Sequence, residues 1–249
     1  MKRIILEVLI DSVDAAQAAQ AGGADRLELC QNLMEGGTTP SAGLIEAVVA
    51  SVQLPVQVML RPRGGDFCYT ATEFDVLQRD LAVAQKAGAA GVVFGILCPD
   101  GSIDTQRCAE LLAAAGSLNV TFHRAFDVAR DPGVALEQLV ALGIPRVLTS
   151  GQEATVFEGA DLIAELIRQA AGRIVVMPGG GIRERNVQRI IGQTGATEIH
   201  VSASGPVASA MEFRNSRVFM GREMRPPEFS WNSVDAARVR GYRRLIDSF

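Results

Sequence analysis

The sequence lacks three features that would each indicate a particular class of protein. No apolar run approaches the length of a membrane-spanning helix. The net charge of −4 provides no basic excess for nucleic acid or for an anionic membrane surface. The N-terminal segment is basic and apolar, but Glu7 and Asp11 interrupt it too early for a signal peptide. We therefore expect a protein that binds neither a membrane nor nucleic acid.

Cysteine is also scarce. The four cysteines, Cys30, Cys68, Cys98 and Cys108, are scattered and form no CxxC pair. In a chain of 249 residues this distribution is typical of reduced thiols and not of a disulfide framework. We therefore expect a cytoplasmic location.

Short apolar strands alternate with alanine-rich helical segments along the chain. Eight such strand–helix units over 249 residues match the size of a (β/α)8 barrel, and a doubly wound open sheet is the alternative. Two patterns favour the barrel. A glycine turn precedes every second strand, at Gly22, Gly88, Gly143 and Gly195, as expected for a ring of repeated units. A glycine triplet follows the seventh strand, whereas a dinucleotide-binding fold places such a motif after the first.

The end of the chain differs from the rest. Segment 205–231 contains several prolines and charges but has no clear period. We interpret it as an irregular excursion after strand eight, and residues 232–249 as the helix that closes the ring. The sequence thus predicts one domain over residues 1–249, an α/β protein with the TIM-barrel fold.

Ionisable residues recur on the strand faces that we assign to the barrel axis. One alternation along each strand must face the helices and the other the axis, and the apolar set must face the helices. This assignment directs six polar side chains inward: Glu7, Glu28, Arg61, His123, His200 and Ser202. Such a set indicates either an active site or a charge-paired polar core in which Glu7 or Glu28 binds Arg61.

The carboxyl ends of barrel strands are where active sites of this fold are built. Glu28, Arg61 and His123 lie near such ends, and Asp127 follows in the loop after strand five. We therefore predict catalytic roles for these four residues. His123 or Glu28 would be the general acid or base, and Arg61 would hold a carboxylate or phosphate. Secondary candidates are Glu7 and Arg124.

Glycines after strand seven predict an anion site. Gly179, Gly180 and Gly181 let backbone N–H groups approach a phosphate or carboxylate, and strand eight adds Ser202 nearby. The loops after strands seven and eight are the usual phosphate site of this fold. A Gly-rich segment can also serve only as a tight turn.

Several motifs together resemble the CutC family, described as copper-homeostasis proteins. They run in order along nearly the whole chain: Leu27-Glu28-Leu29-Cys30, Glu35-Gly36-Gly37-Thr38-Thr39-Pro40-Ser41, Arg61-Pro62-Arg63-Gly64-Gly65-Asp66-Phe67, Thr121-Phe122-His123-Arg124-Ala125-Phe126-Asp127, Leu148-Thr149-Ser150-Gly151, Gly179-Gly180-Gly181-Ile182 and Met211-Glu212-Phe213-Arg214-Asn215. The resemblance implies a cytoplasmic barrel, a homodimer or larger homo-oligomer, and a role in Cu(I) binding or trafficking.

One position departs from the family pattern. Family members often carry a cysteine on strand one that pairs with the strand-two cysteine as a proposed copper ligand, but this chain has Leu9 there. Cys30 is then the one candidate metal ligand. Three hypotheses remain: a Cu(I)-binding homeostasis protein, a barrel enzyme that acts on a small anionic substrate, and a barrel that has lost catalytic function.

Overall fold

The computed structural model describes residues 3–215, 217–218 and 229–249. Eight parallel strands occur in chain order: β1 (Ile5–Ile10), β2 (Arg26–Leu29), β3 (Val56–Met59), β4 (Gly91–Phe94), β5 (Asn119–Phe122), β6 (Arg146–Thr149), β7 (Val175–Pro178) and β8 (Glu198–Val201). Seven helices alternate with them: α1 (Val13–Gly22), α2 (Ala42–Ser51), α3 (Ala71–Lys86), α4 (Thr105–Ala115), α5 (Pro132–Leu142), α6 (Ala160–Ala170) and α7 (Val187–Thr194). An eighth helix, α8 (Ala236–Asp247), ends the chain.

The pairing of the strands confirms the barrel and excludes the doubly wound sheet. Each strand from β1 to β6 pairs with the next, and β1 also pairs with β8. A parallel bridge between Gly179 and His200 connects the ends of β7 and β8 and completes the ring. With this bridge the sheet has no free edge strand, whereas an open doubly wound sheet has two.

The recurring glycine turns have a common physical cause. Gly23, Gly143 and Gly195 are the C-caps of α1, α5 and α7, with φ between +74° and +91°, and Gly88 follows α3 with φ +82°. Only glycine adopts this left-handed conformation without a steric penalty. The glycine turn before every second strand therefore reflects the way in which every second helix ends.

Strand alternation sets what lies inside the barrel. Leu6 and Val8 on β1 are fully buried against the helices, with Leu27 and Leu29 on β2 beside them. Their neighbours in sequence point to the axis, where the ionisable residues lie. The main apolar core is thus a shell between sheet and helices, and the axis is left for polar side chains.

The segment after β8 is more ordered than its sequence predicts. It contains two antiparallel strands, β9 (Ser204–Ala208) and β10 (Ser230–Val234), where we expected an irregular excursion. Residue 216 and residues 219–228 of the excursion lie outside the described part of the chain. The closing helix α8 packs closely on α1, since a Cβ at Gly22 would lie 2.4 Å from the Val239 side chain. Within the described ranges, no helix combines the length and apolarity needed to cross a membrane.

Candidate functional site

A cavity of about 740 Å³ opens at the carboxyl ends of the strands. Most of the residues that the sequence predicts as functional line this cavity: Glu28, Arg61, His123, Arg124, Asp127, Gly180, Gly181 and Ser202. Glu7, Gly179 and Cys30 are not among its lining residues. The structure therefore brings together the loops after β2, β3, β5, β7 and β8, as expected for a ligand site in this fold.

Below the cavity, four charged side chains form a connected network that we call the lower layer: Glu7, Arg26, Arg146 and Glu198. The Arg26 guanidinium donates to Glu7 and, at 2.6 Å, to Glu198 Oε2. Arg146 Nε donates to the same Glu198 oxygen at 2.7 Å. A buried charge is tolerated when it is paired in this way.

The pairing of Glu7 corrects one of the two interpretations of the polar interior. We considered an ion pair of Glu7 or Glu28 with Arg61, but Glu7 binds Arg26, its neighbour across the β1–β2 pair. Among the described residues, Arg61 forms no ion pair with either glutamate. Register explains the difference, because Arg26 stands directly opposite Glu7, whereas Arg61 comes after the end of β3.

His200 connects the lower layer to the cavity. Its Nδ1 lies 2.8 Å from Glu7 Oε1, and its Nε2 lies 3.6 Å from Glu28 Oε2. Burial opposes the charge on Glu7, but the hydrogen bond from His200 and the charge of Arg26 lower the pKa of Glu7 to about 2. The ionised Glu7 therefore accepts the Nδ1–H of His200, which leaves Nε2 toward Glu28.

Sequence reasoning placed His200 inside the barrel but gave it no role. Strand register could have predicted a role, because Glu7 and His200 lie opposite each other on neighbouring strands β1 and β8. Burial disfavours charge on His200, yet the carboxylates of Glu28 and Glu7 raise its pKa. Burial raises the pKa of Glu28 to about 7. Both protonation states of Glu28 are therefore available near neutral pH, which suits acid–base chemistry.

His123 presents a different histidine environment. Its ring lies over Gly95, where a Cβ would come within 2.6 Å of Nδ1. Nδ1 accepts the backbone N–H of Ala125 at 3.2 Å, so the neutral ring carries its proton on Nε2. Burial, together with the charge of Arg61, lowers the pKa of His123 to about 3. The buried Nε2 has no hydrogen-bond partner among the described residues.

Arg61 is held by backbone carbonyl groups and not by a carboxylate. Nη1 donates to the carbonyl oxygens of Glu35 at 2.7 Å and Gly37 at 2.8 Å, and Nη2 donates to Gly65 at 2.8 Å. Its Nε is buried without a partner in the described chain. The guanidinium also lies 4.9 Å from the centre of the Phe67 ring. Arg61 thus fixes two loops and keeps an uncompensated positive charge at the cavity.

Asp127 is fully engaged by protein groups. Its carboxylate accepts Arg124 Nε at 2.6 Å, the backbone N–H of Ser150 at 3.0 Å and that of Gln152 at 3.2 Å, as well as the Thr149 hydroxyl. These protein donors hold both carboxylate oxygens in place. The geometry assigns it to positioning Arg124 and the loop after β6.

Cys30 lies in a small apolar cluster with Leu9, Met59 and Val93. Its Sγ is 3.7 Å from Glu28 Oε2, and burial raises its pKa well above the usual range of a thiol. Cu(I) prefers thiolate and thioether donors, whereas this thiol is protonated and Leu9 provides no second one. The residues around Cys30 therefore do not fit a two-thiolate Cu(I) site.

A second group of potential metal ligands lies deeper. One donor atom each of Glu7, Glu28 and His200 falls within 4.8 Å of the others. These oxygen and nitrogen donors suit a divalent ion better than Cu(I). Glu7 is already bonded to Arg26 and His200, which leaves two donors facing the cavity.

Comparison with known proteins agrees with this architecture. The sequence model of the CutC family matches residues 4–205. A human relative named copper homeostasis protein cutC homolog is 53% identical over 236 residues, covering 95% of this chain and 86% of the relative. A family protein CutC of Chromobacterium violaceum is 46% identical over 243 residues, which are 98% of each chain.

Solved structures give the same result. The crystal structure of a copper homeostasis protein CutC from Streptococcus agalactiae has a TM-score of 0.76 and 35% identity, covering 79% of this chain and 97% of that one. Phosphoribosylanthranilate isomerase from Thermotoga maritima has a TM-score of 0.58 at 12% identity over 99% of this chain and 100% of that chain, and shares the fold alone. With the family match over most of its length and relatives of this identity, the chain belongs to the CutC copper-homeostasis family.

Proposed function

We propose that the chain is a barrel enzyme that binds a small anionic molecule in the cavity and transfers a proton to or from it. Three buried polar atoms at this cavity carry the proposal: Glu28 Oε1, Arg61 Nε and His123 Nε2 have no partner among the described residues. A buried polar atom without a hydrogen bond costs about 1–3 kcal/mol. A bound ligand that forms the missing hydrogen bonds would remove this cost, which explains why the protein keeps these atoms unpartnered.

The geometry supports a separate role for each residue. His123 remains neutral and donates its Nε2–H to an oxygen of the ligand, where the uncompensated charge of Arg61 favours an anion. Glu28 is the general acid or base, because its pKa of about 7 makes both protonation states available. Glu7 holds His200 through a hydrogen bond and so positions its ring beside Glu28. Ser202 and the glycines Gly180 and Gly181 bind a second, outer part of the anion.

Binding measurements on matched variants test this proposal. Small carboxylates and phosphates are titrated into the native chain, His123→Gln and Glu28→Gln by calorimetry. Glu46→Gln is the control, since Glu46 is an exposed carboxylate on α2 away from the cavity. We expect at least one anion to bind the native chain and the control equally, and to bind His123→Gln about tenfold more weakly. An affinity that His123→Gln and Glu28→Gln leave unchanged would contradict the proposal.

Cu(I) binding and trafficking is the second candidate function. Membership of a copper-homeostasis family supports it, as does the packing of Cys30 against Met59, two soft sulfur donors in one cluster. Anaerobic competition with a chelating probe tests it. Tight one-to-one binding that is lost in Cys30→Ala would favour the copper function, whereas weak binding that Cys30→Ala leaves unchanged would exclude a Cys30 site.

The family resemblance also supports two further proposals. We propose that the chain works in the cytoplasm, in keeping with its four free cysteines. We also propose a homodimer or larger homo-oligomer. Light scattering coupled to size-exclusion chromatography tests the assembly, and a mass equal to that of one 26.5 kDa chain would contradict it.

A further inference from the structure

We infer that the anionic ligand carries a phosphate group, and that this group binds at the cavity rim between Arg124, Gly180, Gly181, Arg183 and Ser202. These five residues, which we call the rim site, all line the cavity. The inference rests on the proposed function, because it names the chemical class of the same ligand.

Arg124 is held so that one amino group remains free. Its Nε donates to Asp127 at 2.6 Å and its Nη2 to the Ser150 hydroxyl at 2.7 Å. Nη1 donates to no described residue, and the side chain is 42% exposed. A guanidinium fixed at two nitrogens loses little entropy when it binds an anion through the third. Asp127 therefore orients Arg124 toward a ligand.

The glycines allow this arginine to lie against the backbone. A Cβ at Gly180 would be 3.3 Å from Arg124 Nη1, and a Cβ at Gly181 would be 2.8 Å from the Thr155 side chain. Both glycines have positive φ, +106° and +81°. A side chain at either position would be strained, and a side chain at Gly180 would crowd the guanidinium of Arg124.

The carbonyl oxygens of the same glycines are occupied by protein donors. Gly180 O accepts the backbone N–H of Val156 at 2.9 Å, and Gly181 O accepts the Asn186 side chain at 3.0 Å. Both carbonyl groups are thus engaged by the protein, which reduces their repulsion of a bound anion. Gly181 is exposed and Gly180 half-buried, so a ligand in the cavity can reach this backbone.

Arg183 and Ser202 complete the rim site from the other side. Both are exposed, and Arg183 forms no ion pair with any residue in the described ranges. Its neighbour Glu184 is bound to Arg238 at 2.9 Å and does not neutralise it. Asp127, which also lines the cavity, is paired with Arg124. The rim site therefore has an excess of positive charge.

The arrangement of donors favours phosphate over carboxylate. They come from three loops, after β5, β7 and β8, and so approach from several directions. A phosphate monoester has three terminal oxygens arranged tetrahedrally and a charge of about −1.5 to −2. Two guanidinium groups and a hydroxyl match this shape and charge, whereas a planar carboxylate offers two oxygens and one charge. With phosphate at the rim, the rest of the ligand extends down toward Glu28 and His123.

The test uses inorganic phosphate, glycerol phosphate and acetate as probes, titrated by calorimetry into the full chain. The variants are Arg124→Gln, Arg183→Gln and Ser202→Ala at the rim site and His123→Gln at the bottom of the cavity. Arg185→Gln is the matched control, an exposed arginine two residues beyond Arg183 that does not line the cavity. Thermal unfolding of each variant checks its folding, and Arg183→Gln keeps the test valid if Arg124→Gln fails to fold.

We expect both phosphate probes to bind the native chain and the control with equal affinity. Each arginine substitution should weaken phosphate binding about tenfold or more. Phosphate binding that neither arginine substitution weakens overturns the inference. Binding of acetate but not of either phosphate, lost in His123→Gln, also overturns it but leaves the proposed function standing. If no anion binds, both fail.

Discussion

The lower layer and the floor of the cavity contain the same kinds of residue but differ in how completely they are paired. Glu7, Arg26 and Arg146 are buried and Glu198 is half-buried, and none of their buried side-chain polar atoms lacks a partner among the described residues. A second set, which we call the upper layer, consists of Glu28, Arg61 and His123. Its members are all buried, yet each of them has one unpartnered atom. Burial of charge therefore does not distinguish structure from function here, whereas unsatisfied hydrogen-bonding capacity does.

The two histidines of the chain also differ in their pairing and in the direction of their pKa shifts. His200 is bonded to the lower layer through Glu7, and neighbouring carboxylates outweigh burial and raise its pKa. His123 is isolated from carboxylates, and burial and Arg61 lower its pKa to about 3. One ring favours the charged form and the other remains a neutral donor. The same residue type thus has opposite protonation chemistry in the two layers.

The largest expected effect comes from breaking the lower layer. Arg26→Met leaves Glu7 and Glu198 without one of their buried cationic partners. We expect the free energy of unfolding to fall by about 3–5 kcal/mol, measured by urea denaturation. Arg79→Met is the control, since Arg79 pairs with Asp75 on the surface and its removal should cost about 1 kcal/mol or less. Equal effects in the two variants would contradict a structural role for the lower layer.

A substitution in the upper layer should have the opposite profile. Glu28→Gln keeps the shape of the side chain and removes a carboxylate whose burial is unfavourable. We expect the free energy of unfolding to change by about 1 kcal/mol or less. Anion affinity or turnover should be lost in the same variant, since the acid–base group is gone. A loss of several kcal/mol with unchanged binding would instead make Glu28 part of the structural network.

The pH dependence of stability should separate the two histidines. The folded-state pKa of His123 lies below its unfolded value of 6.5, so its contribution is present above pH 6.5 and is lost as the pH falls toward 3. His200 has a raised folded-state pKa, so its contribution is present below pH 6.5 and is lost as the pH rises through the folded value. Urea denaturation at a series of pH values should show that His123→Gln reduces the fall in unfolding free energy between pH 6.5 and about 3. If the unfolding free energy of this variant falls with pH as steeply as that of the native chain, the lowered pKa of His123 is contradicted.

The smallest effect is expected at Cys30. Cys30→Ala removes a buried thiol from the cluster with Met59 and Val93 and should cost about 1 kcal/mol of unfolding free energy. Anion binding should be unchanged, because Cys30 does not line the cavity. Calorimetry of the variant checks this. A drop in anion affinity as large as that of Glu28→Gln would extend the upper layer to include the thiol.

The sequence predicts the barrel and the inward positions well because both depend on periodicity. A buried strand that alternates apolar and polar residues has one possible orientation, so the alternation by itself places Glu7, Glu28 and His200 on the axis. The family resemblance agrees with this fold, and the closed ring confirms it. These features require only local patterns and the known geometry of strands.

The pairing of side chains could not be predicted in the same way. That Asp127 is engaged by Arg124, Ser150 and Gln152 depends on how two loops meet, which no local pattern records. The β9–β10 hairpin was missed for a related reason, since its strands pair across more than twenty residues of sequence. The tautomer of His123 depends on one backbone contact with Ala125.

The most direct test of the account is the NMR signal of the His123 Nε2–H proton during titration with an anionic ligand such as glycerol phosphate. The chain has two histidines, so His123→Gln assigns the signals. We predict that the His123 Nε2–H signal moves downfield on binding, because its unpartnered donor gains an acceptor. The His200 Nδ1–H signal, which reports the bond to Glu7, should stay in place. Ligand binding that leaves the His123 signal unchanged would contradict the claim that the upper layer is the binding site.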